Sequence, residues 1–220
     1  MNNRRSFKIK YWVDKFLSAW GLLFFAPLLI TVAIIIKLTS KGPIFYIAPR
    51  VGQYGKLFNL YKFRTMFVGA DKEKEGSVTV DGDRRITSIG RILRKTKLDE
   101  LPSLLNVLKG EMSFVGPRPD VPGYADQLKG SDRQVLELRP GITGPATLKY
   151  ANEEDILAKV EDPIRYNDEV IFPDKVRINL DYLANQSLSQ DLSLIFHTIF
   201  RTNYFSHPQG EAFGDKSWKV

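Results

Sequence analysis

The sequence predicts an α+β fold, mostly helical: a small membrane-associated domain with an N-terminal hydrophobic helix, a short β-hairpin and interfacial amphipathic helices. Three observations predict it. The 21 residues from Phe16 to Ile36 carry no charge. Residues 43–66 read as two strands around a glycine-containing turn. From Ser88 onward, apolar residues recur at helical spacing.

At about 1.5 Å per residue, the uncharged run is long enough for a hydrocarbon core of roughly 30 Å. It is too long for a cleavable signal peptide, and no A-x-A-like site follows it. A buried globular helix is the bland alternative, but few core helices are apolar all round. Arg4, Arg5, Lys8, Lys10 and Lys15 precede the run, and Lys37, Lys41, Arg50 and Lys56 follow it. Basic flanks on both sides give no clear orientation, so both ends on one face is the simplest resolution. Pro27 sits near the middle, where it removes a helix hydrogen bond and kinks or breaks the helix. Residue pattern alone leaves a re-entrant helix and a kinked span equally open.

The expected hairpin turns at Gly52-Gln53-Tyr54-Gly55. Residues 69–87 are polar and rich in Gly and Asp, which predicts a loop. A helix follows, with Ile89, Ile92 and Leu93 as its apolar stripe. A second helix carries Leu101, Leu104, Leu105 and Leu108, with Pro102 in its first turn. Asp99 and Glu100 then lie at a helix start. GPRPDVPG (116–123) and RPGITGP (139–145) read as rigid loops. Helical patterns return at 153–160, 173–184 and 189–202. In the last of these, Leu192, Ile195, Phe196, Ile199 and Phe200 form an apolar face, either core or lipid-facing. A polar tail runs from 206 and holds a lone Trp218.

Composition excludes some chemistry. There is no cysteine, hence no disulfide, thiolate nucleophile or cysteine-based zinc site. His197 and His207 do not have metal-ligand spacing. Thirty-two Lys and Arg against 25 Asp and Glu give +7, which suits anionic partners. No recognisable nucleic-acid module or aromatic-basic interleave is present, so nucleic acid is not an expected partner. Phosphate-loop, dinucleotide-binding and nucleophile-elbow motifs are absent too.

Carboxylates, cations and stiff loops remain. Arg94, Lys95 and Lys97 precede Asp99-Glu100 within five residues. Such a carboxylate can stay ionised and attack phosphorus, while the cations neutralise phosphate oxygens. It can equally be a helix cap with harmless ion pairs. Arg118 lies between Pro117 and Pro119, which aim its guanidinium, a group suited to bidentate phosphate contacts. Its plain alternative is a surface ion pair. Lys62 and Arg64 lie two apart on a strand, facing either phosphate or lipid headgroups.

KFRTM (62–66), LRKTKLDELPSLLNVLKGEMSFVGPRP (93–119) and RPGITG (139–144) stand behind a hydrophobic segment with a central proline. Together they resemble the bacterial sugar transferases. More closely, the chain is similar to monotopic polyprenyl-phosphate phosphoglycosyl transferases in their minimal catalytic form. The resemblance covers about residues 10–200. It implies a re-entrant membrane helix at 1–40 bent at Pro27, a catalytic domain at 41–205 on the cytoplasmic face of the bacterial inner membrane, and the polar tail at 206–220. It implies that Asp99 is the nucleophile toward a UDP-sugar, and that UMP leaves and a phosphosugar-aspartyl intermediate forms. Polyprenyl phosphate then takes the phosphosugar, which opens synthesis of a lipid-linked glycan for downstream glycosyltransferases. Glu100 supports the site. Mg2+ is implied as cofactor, with Asp99 beside it. Arg94 would hold phosphate, and Pro117, Arg118 and Pro119 the nucleotide.

Two departures stand out. Ala26 replaces the serine of the family's Ser-Pro bend. PATLKYANEEDIL follows RPGITG where relatives carry a short stretch with a substrate-contacting Arg, so no role passes to Lys149. A membrane-tethered interaction module without catalysis is the competing class.

Overall fold

The computed structural model describes residues 3–70, 83–202 and 204. The expected loop at 69–87 lies partly outside these residues, and the tail from 206 lies wholly outside them.

Helix α1 (Asn3–Thr39) contains the uncharged run. Its buried residues are Lys10, Asp14, Ser18, Val32 and Ile36, four apart within each group and fourteen apart between them, which is close to four whole helical turns, so they form one stripe. Trp12, Phe16, Trp20, Leu23, Phe24, Ile30, Ile34 and Leu38 lie exposed on the other faces. Before Pro27 this inverts a water-soluble amphipathic helix: Lys10, Asp14 and Ser18 point at the protein, while Trp12, Phe16 and Trp20 point away. Val32 and Ile36 pack with Phe63 and Leu93. Pro27 does not end the helix, which stays helical to Thr39. Thr31 Oγ1 donates to the Pro27 carbonyl at 2.8 Å, within the turn after the proline.

Strands β1 (Phe45–Val51) and β2 (Leu57–Phe63) form the expected antiparallel hairpin. Phe45 pairs with Phe63 and Val51 with Leu57. The connection is a 3-10 turn at Gln53–Gly55, where Tyr54 has a φ of 60° and Gly55 one of 78°. A glycine meets the second positive φ without steric cost.

Helix α2 (Ser88–Thr96) begins at Thr87, whose hydroxyl accepts from the Gly90 N–H at 3.0 Å. Ile89 and Leu93 face the core, while Ile92 is exposed, so the expected stripe is narrower by one residue. The expected helix from Leu101 to Leu108 is divided. Leu98–Ser103 is a 3-10 turn, and α3 spans only Leu104–Lys109. The tighter turn changes which side chains face inward: Leu104 and Val107 are buried, and Leu108 is exposed. Asn106 is buried between α3 and the hairpin. It donates to the Asn59 carbonyl at 2.7 Å and accepts from the Tyr61 N–H at 3.1 Å.

The two Gly/Pro loops conceal a second sheet. Strand β3 (Ser113–Val115) pairs in parallel with β4 (Gly141–Thr143). Gly116, Gly141 and Gly144 bring the two backbones together so closely that a Cβ on any of them would collide with backbone atoms. No neighbouring side chain can yield there. Gly141→Ala should therefore cost more than the roughly 1–3 kcal/mol usual for overpacking. A fall in melting temperature in detergent would register it, and an unchanged melt would contradict this packing.

Residues 145–200 are mostly helical: α4 (Pro145–Lys149), α5 (Glu153–Leu157), α6 (Pro163–Tyr166), α7 (Phe172–Asn185) and α8 (Leu188–Phe200). A π turn at Asn167–Ile171 joins α6 to α7. Tyr182 and Leu194 meet Val115, Leu138 and Tyr204 in one core cluster. The apolar face of α8 divides as its spacing allows. Ile195 packs on that core, whereas Leu192, Phe196, Ile199 and Phe200 point outward.

A buried polar network ties α1 to this region. Lys10 Nζ donates to Asp191 Oδ2 at 2.9 Å. Asp191 also accepts from Tyr182 OH and from Gln186 Nε2. One turn further along α1, Asp14 Oδ2 accepts from Ser113 Oγ at 2.6 Å.

Candidate active site

The site begins with a backbone conformation. Lys97 closes α2 with a φ of 59°, and its N–H donates to the Leu93 and Arg94 carbonyls. This left-handed cap turns the chain sharply, and the following 3-10 turn directs Asp99 inward. Asp99 is only 8% exposed, and its Oδ1 is buried without a hydrogen-bond partner. Glu100 differs. Lys62 Nζ donates to its Oε1 at 2.7 Å, and Arg118 lies 3.6 Å from the same oxygen.

These environments separate the two carboxyls. Burial and then the Glu100 charge push Asp99 above its ordinary pKa, against Lys62, Lys97 and Arg94. Burial also works to raise Glu100, but Lys62 and Arg118 more than offset it, and its pKa falls below the ordinary value. Cations beside both carboxylates in sequence do not tell the two apart. The structure does, because the nearest ammonium bonds to Glu100.

The other expected residues separate into two groups. Arg94, Lys62 and Arg118 gather at the pair. Arg94 Nε donates to Thr65 Oγ1 at 2.9 Å. Pro117 is held by its carbonyl, which accepts from the Gly141 N–H at 2.7 Å, so the loop carrying Arg118 and Pro119 hangs from the β3–β4 contact. Arg64 is not part of the group. It is buried beyond the end of β2, and its guanidinium donates to the Ser40 and Lys41 carbonyls and to Ser40 Oγ, capping the end of α1. Lys62 and Arg64 therefore do not share a phosphate-binding face.

A cavity of about 1050 Å³ shares cations with the pair, although neither Asp99 nor Glu100 lines it. Arg94, Lys97 and Arg118 line the part nearest the carboxylates, and Asp120, Lys149 and Asn179 are among its other lining residues. Lys149 is bonded to Asp174 at 2.7 Å, and Lys175 to both oxygens of Glu153 at 2.7 Å. Burial, opposed by Lys175 and Arg118, pushes Asp120 up to about 6. Asp120 immediately follows the Pro-Arg-Pro triplet, so its position was readable. Asn179 and Lys175 lie on a helix whose sequence shows no motif.

The residues fit a divalent cation in part. Among the described residues no group of three or more His, Cys, Asp or Glu could hold a metal. Asp99 and Glu100 supply two carboxylates, one with an unsatisfied oxygen. Mg2+ commonly takes one or two carboxylates and completes its shell with water and substrate phosphates.

A buried carboxylate with an open oxygen, a second carboxylate clamped by two cations, and a nearby cavity with cations in its wall are chemically suited to phosphate groups. The chain belongs to the bacterial sugar transferase family, whose profile matches residues 5–203. It is 36% identical over 192 residues to a UDP-glucose:undecaprenyl-phosphate glucose-1-phosphate transferase of Klebsiella pneumoniae, covering 86% of this chain and 38% of the relative. It is 34% identical over 201 residues to a UDP-N-acetylgalactosamine-undecaprenyl-phosphate N-acetylgalactosaminephosphotransferase of Aeromonas hydrophila, covering 87% and 43%. The chain thus spans about two fifths of the length of these two relatives. An exopolysaccharide production protein of Rhizobium leguminosarum bv. phaseoli is nearer in size: 36% identity over 192 residues covers 84% of this chain and 90% of that one.

Proposed function

We propose that this protein transfers a sugar-1-phosphate from a UDP-sugar to undecaprenyl phosphate, releasing UMP, at the cytoplasmic face of a bacterial inner membrane. The observation that carries the reading is the buried, unpartnered Oδ1 of Asp99 beside a Glu100 clamped by Lys62 and Arg118.

Asp99 attacks the phosphorus that bears the sugar. A new oxygen–phosphorus bond forms to Asp99, and the bond to the UMP oxygen breaks with its electron pair staying on UMP. Arg118, Arg94 and Lys97 neutralise the charge gathering on the phosphate oxygens. A phosphate oxygen of the polyprenyl acceptor then attacks the same phosphorus, and the Asp99 carboxylate leaves. A desolvated carboxylate of raised pKa is a stronger nucleophile than a solvated one. Glu100 stays ionised throughout and keeps Lys62 and Arg118 in position. Asp99 and Glu100 would hold Mg2+, which supplies further neutralisation of phosphate charge.

The acceptor is a lipid, so its phosphate lies at headgroup depth. The exposed apolar faces of α1 and α8 suit that depth. α1 meets the rest of the protein at Lys10, Asp14 and Ser18 before Pro27, and at Val32 and Ile36 after it. A span would carry one of these groups of contacts away from its partners, which favours a helix that enters and leaves one leaflet. The chain has no cysteine. Single cysteines at Arg5 and Gly210 should therefore show equal protection from an impermeant thiol reagent in intact cells. Labelling of only one would overturn the re-entrant reading.

Purified protein offered a panel of UDP-sugars with undecaprenyl phosphate should release UMP from at least one. Chelation of divalent metal should abolish release, and Mg2+ should restore it. No UMP from any donor would overturn the assignment.

A further inference from the structure

The proposed chemistry uses the cationic part of the cavity and leaves two polar groups unexplained. Asp120 and Asn179 both line this space. The Asp120 backbone is fixed, because its carbonyl accepts from the Val51 N–H at 2.9 Å. Asn179 is 6% exposed, and its Oδ1 has no hydrogen-bond partner. Buried polar groups are almost always paired, so an orphan beside a cavity calls for a ligand or water to complete it. Three other polar groups of the wall are already engaged. Lys149 and Tyr150 OH both donate to Asp174, and Lys175 is bound to Glu153.

Resting on the transferase reading above, we propose that Asp120 and Asn179 form a hydroxyl-reading wall that binds a vicinal diol of the donor. The chemistry discriminates among the donor's parts. A carboxylate repels phosphate, which belongs with Arg94, Lys97 and Arg118. Uracil offers one N–H between two carbonyl oxygens, a poor match to a carboxylate. Two neighbouring hydroxyls can each donate to the carboxylate oxygens, and the carboxamide supplies one acceptor and one donor pair beside them. Such polar reading is selective, because a substrate lacking the hydroxyl leaves the buried group unpaired. A vicinal diol occurs both in the hexose and in the ribose of a UDP-hexose.

The test compares UMP release from a UDP-sugar, from its deoxyhexose analogues and from its 2′- and 3′-deoxyribose analogues. It uses wild type, Asp120→Asn and Asn179→Leu in the full chain with undecaprenyl phosphate. Wild type should discriminate against at least one deoxy donor by about tenfold or more in kcat/KM. Asp120→Asn, which keeps the side chain's shape, should lower kcat/KM for the parent donor by a similar factor. It should also treat that deoxy donor nearly as it treats the parent. Lost discrimination at the hexose assigns the wall to the sugar, and lost discrimination at the ribose assigns it to the nucleoside; either supports the proposal. Asn179→Leu is judged alongside its melting temperature, since its side chain is buried. Wild-type turnover with discrimination unchanged in Asp120→Asn overturns this proposal alone. No turnover by wild type overturns it together with the transferase reading.

Discussion

Asp99→Asn should lower turnover of UDP-sugar by at least about 10⁴-fold, the scale at which a covalent nucleophile acts. The carboxamide has nearly the same shape, so the turn from Lys97 to Ser103 should survive. Its oxygen is neutral and a poor nucleophile. Brief incubation of wild type with a donor labelled in the sugar should leave label on the peptide containing Asp99, and the variant should carry none. Activity near the wild-type level in Asp99→Asn would end the covalent scheme. A stability readout separates this from unfolding. The folded-state pKa of Asp99 is raised, so the folded protein holds this proton more tightly than the unfolded chain does. The contribution is favourable at low pH and is lost as pH rises through the folded-state pKa. Ionised Asp99 therefore costs stability at neutral pH, and the amide removes that cost. Asp99→Asn should melt at or above the wild-type temperature at pH 7, with the advantage shrinking as the pH is lowered. A variant that is both inactive and less stable would point to a structural role instead.

The sequence made the pair visible but not the difference between its members. Charge counting along the chain set Arg94, Lys95 and Lys97 beside both carboxylates alike. Lys62 lies 37 residues before Asp99 and separates them by bonding to Glu100. Only the hairpin's docking against the 3-10 turn could reveal that. The hairpin itself was legible because its turn glycine and strand pattern are local. Strand β4 was not. It is three residues long, and its partner β3 is 28 positions earlier along the register. The glycines that permit the contact look like loop glycines in sequence. Arg64 failed for a related reason. Spacing of two promises a shared face only while the strand continues, and β2 ends at Phe63. The long helix was plain from its uncharged run, but its inward stripe was not. Lys10 read as part of a basic flank, yet it is buried, and Asp14 one turn on is buried with it.

That burial makes Lys10 the position where a single change should cost most stability. Its ammonium has one close carboxylate partner, Asp191, and lies 3.8 Å from Asp14. Both side chains of the Lys10–Asp191 pair are more than nine-tenths buried. A buried pair of this kind is weak evidence of net stabilisation, but removing one partner strands the other charge. Lys10→Met fills much the same volume and leaves two buried carboxylates without their shared cation. The expected cost is about 3–5 kcal/mol, or roughly 10 °C in melting temperature for a domain of this size. Asp191 keeps its donors from Tyr182 and Gln186, which places the cost nearer the lower bound. Asp191→Asn in the Lys10→Met background removes the stranded charge and should recover much of the loss, a non-additivity readable from a double-mutant cycle. The consequence reaches the site. Lys10 and Asp14 hold α1 against α8 and β3, and β3 leads straight into the loop of Pro117, Arg118 and Pro119. Lys10→Met should therefore also raise the donor KM at temperatures where the protein remains folded, and the double variant should reverse much of that rise. A melting shift below about 2 °C would mean that water reaches the pair, and that α1 is held to the body by its other contacts, the Asp14–Ser113 and Ser18–Leu104 hydrogen bonds and the apolar packing of Val32 and Ile36.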